Sequence, residues 1–185
     1  MDCQKHLFSI PEDHHYLNCA YFSPMLKSVE EAGIAGIRQK RAPWKVGPDE
    51  FFASSNRLRE LYAELIHAEN PRRVAILPAA SYGLSTVARN LPEAKGKNIV
   101  IAGEQFPSNV YPWMRYCREN GSELRIVSPA TEQEHRGNTW NRRLLEAIDR
   151  DTLLVALGNV HWTDGTIFDL SRIGDRAREV DAWFV

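Results

Sequence analysis

Three short segments of this 185-residue chain gather residue types able to do chemistry. The first is Pro78-Ala-Ala-Ser-Tyr-Gly83, a small-residue turn running into a stretch with helical period. The free amides of such a turn, the positive end of the helix and the Ser81 hydroxyl together suit a phosphate. It lacks the Gly-Lys-Ser/Thr ending of a P-loop and the G-x-G-x-x-G spacing of a dinucleotide fold, and a plain helix cap would look the same. The second is Gly103-Glu-Gln-Phe-Pro-Ser-Asn-Val-Tyr-Pro-Trp113. Its Phe106 could lie flat on a planar ring, which stabilises by roughly 0.5–1.5 kcal/mol, or simply pack beneath the helix that follows. The third is Gly158-Asn-Val-His-Trp-Thr-Asp-Gly165, where His161 and Asp164 could do acid–base or metal work, although one His-x-x-Asp is a weak signal. His14-His15 and Cys3-x-x-His6 are weaker still and read as solvated surface.

These segments share a position. Each follows a short apolar run: Arg73–Leu77, Asn98–Ala102 and Leu153–Leu157, with further runs at Leu124–Ser128 and Ala182–Val185. Most are apolar on both faces, as buried parallel strands are. Helical spacing fills the intervals. Ser23 can cap and Pro24 can open a first helix carrying Met25, Leu26, Val29 and Ile37, and Leu58, Leu61, Tyr62, Leu65 and Ile66 mark a second from about Asp49. Four more follow around Leu84, Trp113, Leu144 and Ile173. Two N-terminal helices and then a β-α series predict an α/β fold, three layers with a mostly parallel sheet between helices. In such sheets ligands bind outside the carboxyl ends of the strands, where the three segments fall.

Composition narrows the partners. Lys plus Arg total 23 and Asp plus Glu 24, a net charge of −1, so charge supplies no attraction for nucleic acid or an anionic membrane. No apolar run nears the 18 residues or so of a spanning helix, and Met1–Asp13 lacks a signal-peptide core. Three cysteines at wide spacings form neither a disulfide framework nor a zinc or other metal pattern. The chain reads as cytoplasmic.

Taken together, the segments carry a resemblance. Tyr16-Leu-Asn-Cys-Ala-Tyr-Phe-Ser-Pro24, Ala79–Ala88, Glu104–Trp113 and Asn159–Leu170 resemble, in order, four landmarks of the class V aminotransferases. That group includes cysteine desulfurases and kynureninases, which are fold type I enzymes dependent on pyridoxal 5′-phosphate (PLP). The resemblance implies that Ser81 and the backbone of Ala80 and Tyr82 hold the cofactor phosphate. It implies that Phe106 stacks on the pyridine ring, that Trp162 and Thr163 approach the phenolic oxygen, and that Asn18 lies near the carboxylate of an amino-acid substrate. Trp162 stands where desulfurases have Asn, which speaks against desulfurase chemistry.

It further implies a homodimer in the full-length protein, and a Schiff-base lysine and a pyridine-nitrogen carboxylate beyond Val185. The lysines within the chain precede the first run or, as Lys95 and Lys97, sit at the amino end of the second. The expectation is therefore an N-terminal segment and helix over 1–47 and the front part of the PLP-binding large domain over 48–185. That domain would break off after its fifth strand, with no PLP catalysis by this chain alone. The rival expectation is a complete small α/β module that binds a phosphorylated ligand without catalysis, and a third is a remnant that pairs with a full-length homologue.

Overall fold

The computed structural model describes residues 2–129 and 135–185. The chain forms two compact units, Met1–Ile76 and Leu77–Val185.

The first unit holds helices α1 (Lys27–Gln39) and α2 (Pro48–Leu65). Pro48 occupies the first turn of α2, and Glu50 reaches back to accept from the Gly47 amide at 3.1 Å, so the entrance to the helix is satisfied. The entrance to α1 corrects the sequence reading. Leu26 is extended and bridges Phe8, which holds 24–26 out of the helix, and the Ser23 hydroxyl donates to the Cys19 carbonyl at 3.0 Å instead of capping.

The second unit is the α/β body. Helix α3 (Ala80–Asn90) leads into β1 (Asn98–Ala102), α4 (Tyr111–Asn120), β2 (Glu123–Val127), α5 (Arg136–Ala147), β3 (Thr152–Ala156), α6 (Leu170–Glu179) and β4 (Trp183–Phe184). The strands form one sheet in the order β2-β1-β3-β4, parallel throughout. β1 is buried along its whole length because both faces are covered, as its unbroken apolar run requires. Its Ile99 and Ile101 face one core with Trp113, Tyr116 and Leu154, over which Leu84 and Val87 of α3 pack. Val100 and Ala102 face the other, with Trp140, Leu144, Phe168 and Ile173 of the α5 and α6 side. Gly121 ends α4 in the left-handed region that glycine tolerates.

The first predicted strand is absent. Residues 73–77 form no ladder, so the described residues contain four strands where five were expected, and Ile76 and Leu77 stay about half exposed. A parallel strand exists only through its neighbour, and no described residue pairs with this run.

Candidate cofactor-binding site at the carboxyl ends of β1 and β3

The path of the chain through the sheet selects one place. From β1 it moves outward to β2, then returns across β1 to β3 and continues to β4. The order therefore reverses between β1 and β3, and the crevice outside their carboxyl ends is where a parallel sheet leaves room for a ligand. The loops there are 103–110 and 157–169.

Both loops are tightly specified. Gly103 lies where an added Cβ would come within 3.2 Å of the Ser128 Cα. Glu104 follows in the left-handed region at φ 54°. Phe106 precedes a short turn, Pro107–Asn109, against which α3 packs. Asn109 fixes that turn from below by donating to the Ala156 carbonyl at 3.3 Å and accepting from the Trp113 indole at 2.9 Å. The second loop folds back on itself. The His161 amide bonds the Thr166 carbonyl at 2.8 Å, the Phe168 amide bonds the Asn159 carbonyl at 3.0 Å, and Gly165 takes φ 74° at the bend.

The loops meet through side chains. The rings of Phe106 and Trp162 lie edge to face with centroids 5.5 Å apart, and each is about two-fifths exposed. The Trp162 indole donates to the Glu104 carbonyl at 2.8 Å. His161 is 1% exposed, its Nε2 3.1 Å from the Gly103 carbonyl and its Nδ1 2.9 Å from the Thr163 hydroxyl. Arg136, at the start of α5, lies 2.8 Å from Asp164 and 3.6 Å from Glu104, with its guanidinium 5.3 Å from the Trp140 ring. Burial pushes the Asp164 carboxyl up, but the Thr166 amide, Arg136 and other partners outweigh it, and the group ends below its ordinary range. Asp164 therefore stays ionised and engaged, a poor proton carrier. No cluster of three or more metal-ligating side chains forms among the described residues.

At the start of α3, Ala79 is the residue before the helix and no side chain caps it. The Tyr82 amide bonds the Ala79 carbonyl at 3.1 Å. The amides of Ala80 and Ser81 precede the first helical bond and so have no acceptor within the helix. A groove of about 300 Å³ runs beside Ser81, Tyr82, Ser85, Thr86 and Arg89. Of the residues singled out from the sequence, Phe106, Trp162 and Thr163 thus share one cluster. Ala80, Ser81 and Tyr82 form the neighbouring helix start, and Asn18 lies in the first unit, in a turn where its carbonyl accepts from Tyr21 and Phe22. Arg136 and Trp140 escaped sequence reading, although Trp140, Leu144 and Ile148 share one helical stripe that would have exposed the second.

Parallel strands, a switch point and an aromatic pair at the carboxyl ends of β1 and β3 define an α/β architecture with room for a ligand there. Residues 48–185 match the family model for class-V aminotransferases, and the chain belongs to that family. Among curated proteins it is 27% identical over 177 residues to a protein of Methanothermobacter thermautotrophicus named as a probable cysteine desulfurase, covering 94% of this chain and 43% of that one. It is 25% identical over 160 residues to a kynureninase of Koribacter versatilis, covering 83% and 36%. The same fold occurs in a mutant of the enzyme C-DES solved with glycine covalently linked to its PLP cofactor, at TM-score 0.79 and 18% identity, covering 99% of this chain and 48% of that one. The chain thus spans about half the length of the relatives it matches or less.

Proposed function

We propose that this chain is the front part of a PLP-dependent enzyme acting on an amino acid, within a class-V aminotransferase-like large domain that begins near residue 48. It would contribute the phosphate-binding and ring-facing side of the cofactor site. The observation that carries the reading is the Phe106/Trp162 pair at the switch end of the sheet, next to the Pro107–Asn109 turn on which α3 packs, all inside the matched residues.

The residues present fit one side of PLP. The Ala80 and Ser81 amides, the Ser81 hydroxyl and the positive end of α3 suit its phosphate, and the half-exposed Phe106 suits the face of its ring. Tyr82 would contribute position more than a hydrogen bond, since its amide is taken within the turn. Trp162 would act by shape, because its indole N–H is spent on Glu104, and the Thr163 hydroxyl is tied to His161. Asn18 is the candidate for the substrate carboxylate.

The resemblance puts the carboxylate for the pyridine nitrogen after the β4 run, and the loop carboxylates Glu104 and Asp164 lie 3.6 and 2.8 Å from Arg136. Lys97 donates to the Arg150 carbonyl at 2.8 Å at the amino end of β1, the opposite end of the sheet. We therefore place the anchoring lysine and the ring-nitrogen carboxylate outside residues 1–185, and expect the chain alone to be inactive and its complete form to be a homodimer. When bound, the cofactor supplies the electron sink for chemistry at the substrate α-carbon. Trp162 in place of the desulfurase Asn favours an amino-acid transformation other than desulfuration.

The test is to incubate the chain with PLP, reduce with borohydride and map the peptides. None of the six lysines should carry stoichiometric pyridoxyl label. Full labelling of Lys95 or Lys97 would overturn the assignment of the lysine elsewhere.

A further inference from the structure

Two consecutive carbonyls of the first loop are held by two consecutive side chains of the second: Gly103 by His161 and Glu104 by Trp162. The residue between these grips is strained. Glu104 sits at φ 54°, a conformation that a side-chain-bearing residue adopts at a cost and keeps only where its surroundings impose it. A carbonyl can only accept, so His161 Nε2 carries a proton. Its Nδ1 pairs with the Thr163 hydroxyl at 2.9 Å, and Asp164 Oδ1 lies 3.5 Å away. The imidazole is buried, with Trp140 at 4.8 Å and Phe168 at 6.1 Å between ring centroids.

We propose that His161 is a positioning residue. With Trp162 it clamps the strained Gly103–Glu104 turn to the carboxyl end of β3 and thereby sets the ring of Phe106. His161 reaches across the switch point to the backbone that turns the chain toward Phe106. The consequence for a cofactor ring rests on the function proposed above; the clamp itself does not.

Hydrogen exchange of the ligand-free chain separates the two. His161→Phe keeps a ring between Trp140 and Phe168 but removes the donor to Gly103, and His161→Gln replaces an N–H near the Nε2 position. Amides of 103–110 and 157–168 should exchange about tenfold or more faster in the Phe variant and near the native rate in the Gln variant, with those of β1 and β3 unchanged. Glu104→Gly relieves the strain, and in that background His161→Phe should lose most of its effect. Uniform acceleration across the sheet, equal behaviour of the Phe and Gln variants, or no change in either loop would each overturn the clamp. Should His161→Phe fail to fold, Thr163→Val, which removes only the bond to Nδ1, must still speed exchange in 157–168 selectively, and an unchanged rate there refutes the role. Failure to bind a pyridoxine phosphate alongside the expected exchange pattern would count against the proposed function and leave the clamp intact.

Discussion

Asp149→Asn tests the energetics of the sheet at the end remote from the site. Asp149 accepts from Arg125 at 2.7 Å, from the Asn98 side chain at 3.1 Å and from the Asp151 amide at 2.9 Å, tying the starts of β1 and β3 to the middle of β2. The Arg125 hydrogen bond is the largest influence on its carboxyl, opposed by burial and aided by Asn98 and Asp151, and it brings the pKa from 3.8 to about 2. Unscreened, that displacement is worth about 2 kcal/mol, but the Asp149 side chain is 47% exposed, which reduces it to about 1 kcal/mol. The folded-state pKa is depressed, so the stabilisation is complete above the unfolded value and fades as pH falls through the folded one. Urea unfolding followed by circular dichroism should therefore find the Asn variant about 1 kcal/mol less stable at about pH 7. The gap should shrink to roughly half by about pH 3 and vanish below about pH 2. A variant as stable as wild type at neutral pH, or a gap that does not narrow in acid, would refute the reasoning.

Two further outcomes follow from packing. Gly103→Ala drives a methyl into the Ser128 backbone at 3.2 Å, where no flexible side chain can yield, and should cost about 1–3 kcal/mol in urea unfolding. An unchanged midpoint would mean that the loop is looser than described. Burial, with a smaller contribution from Glu123, pushes the Cys117 thiol up to about 11, while Cys3 and Cys19 are exposed. A thiol-reactive disulfide reagent at about pH 8 should therefore modify two thiols quickly and the third only on unfolding, whereas three equal rates would contradict the burial.

The sequence made β1 and β3 legible because a strand covered on both faces must be apolar at every position, and Asn98–Ala102 is buried throughout. α2 was legible from spacing, with its start at Pro48 beside the expected Asp49. The same reading failed at Arg73–Leu77, where a β-branched run pairs with no strand among the described residues, since a local pattern carries no information about neighbours. It failed at Ser23 because the bridge between Leu26 and Phe8, eighteen residues apart, outcompetes the cap that Ser23 and Pro24 invite. Candidate site residues were findable through their place after strands, but the Phe106–Trp162 contact and the grip of His161 on Gly103 join residues more than fifty positions apart, and only the sheet order brings them together.

Amide chemical shifts during titration with pyridoxine 5′-phosphate, which has no aldehyde to react with lysines, address the proposed site most directly. Because this probe forms no covalent bond to the protein, the ligand is taken to millimolar concentration. The largest shifts should fall on the Ala80 and Ser81 amides, on Phe106 and on the Trp162 indole N–H, with Asn98 and Asp151 at the amino end of the sheet unmoved. A spectrum that does not change, or shifts centred away from the carboxyl ends of β1 and β3, would contradict the account.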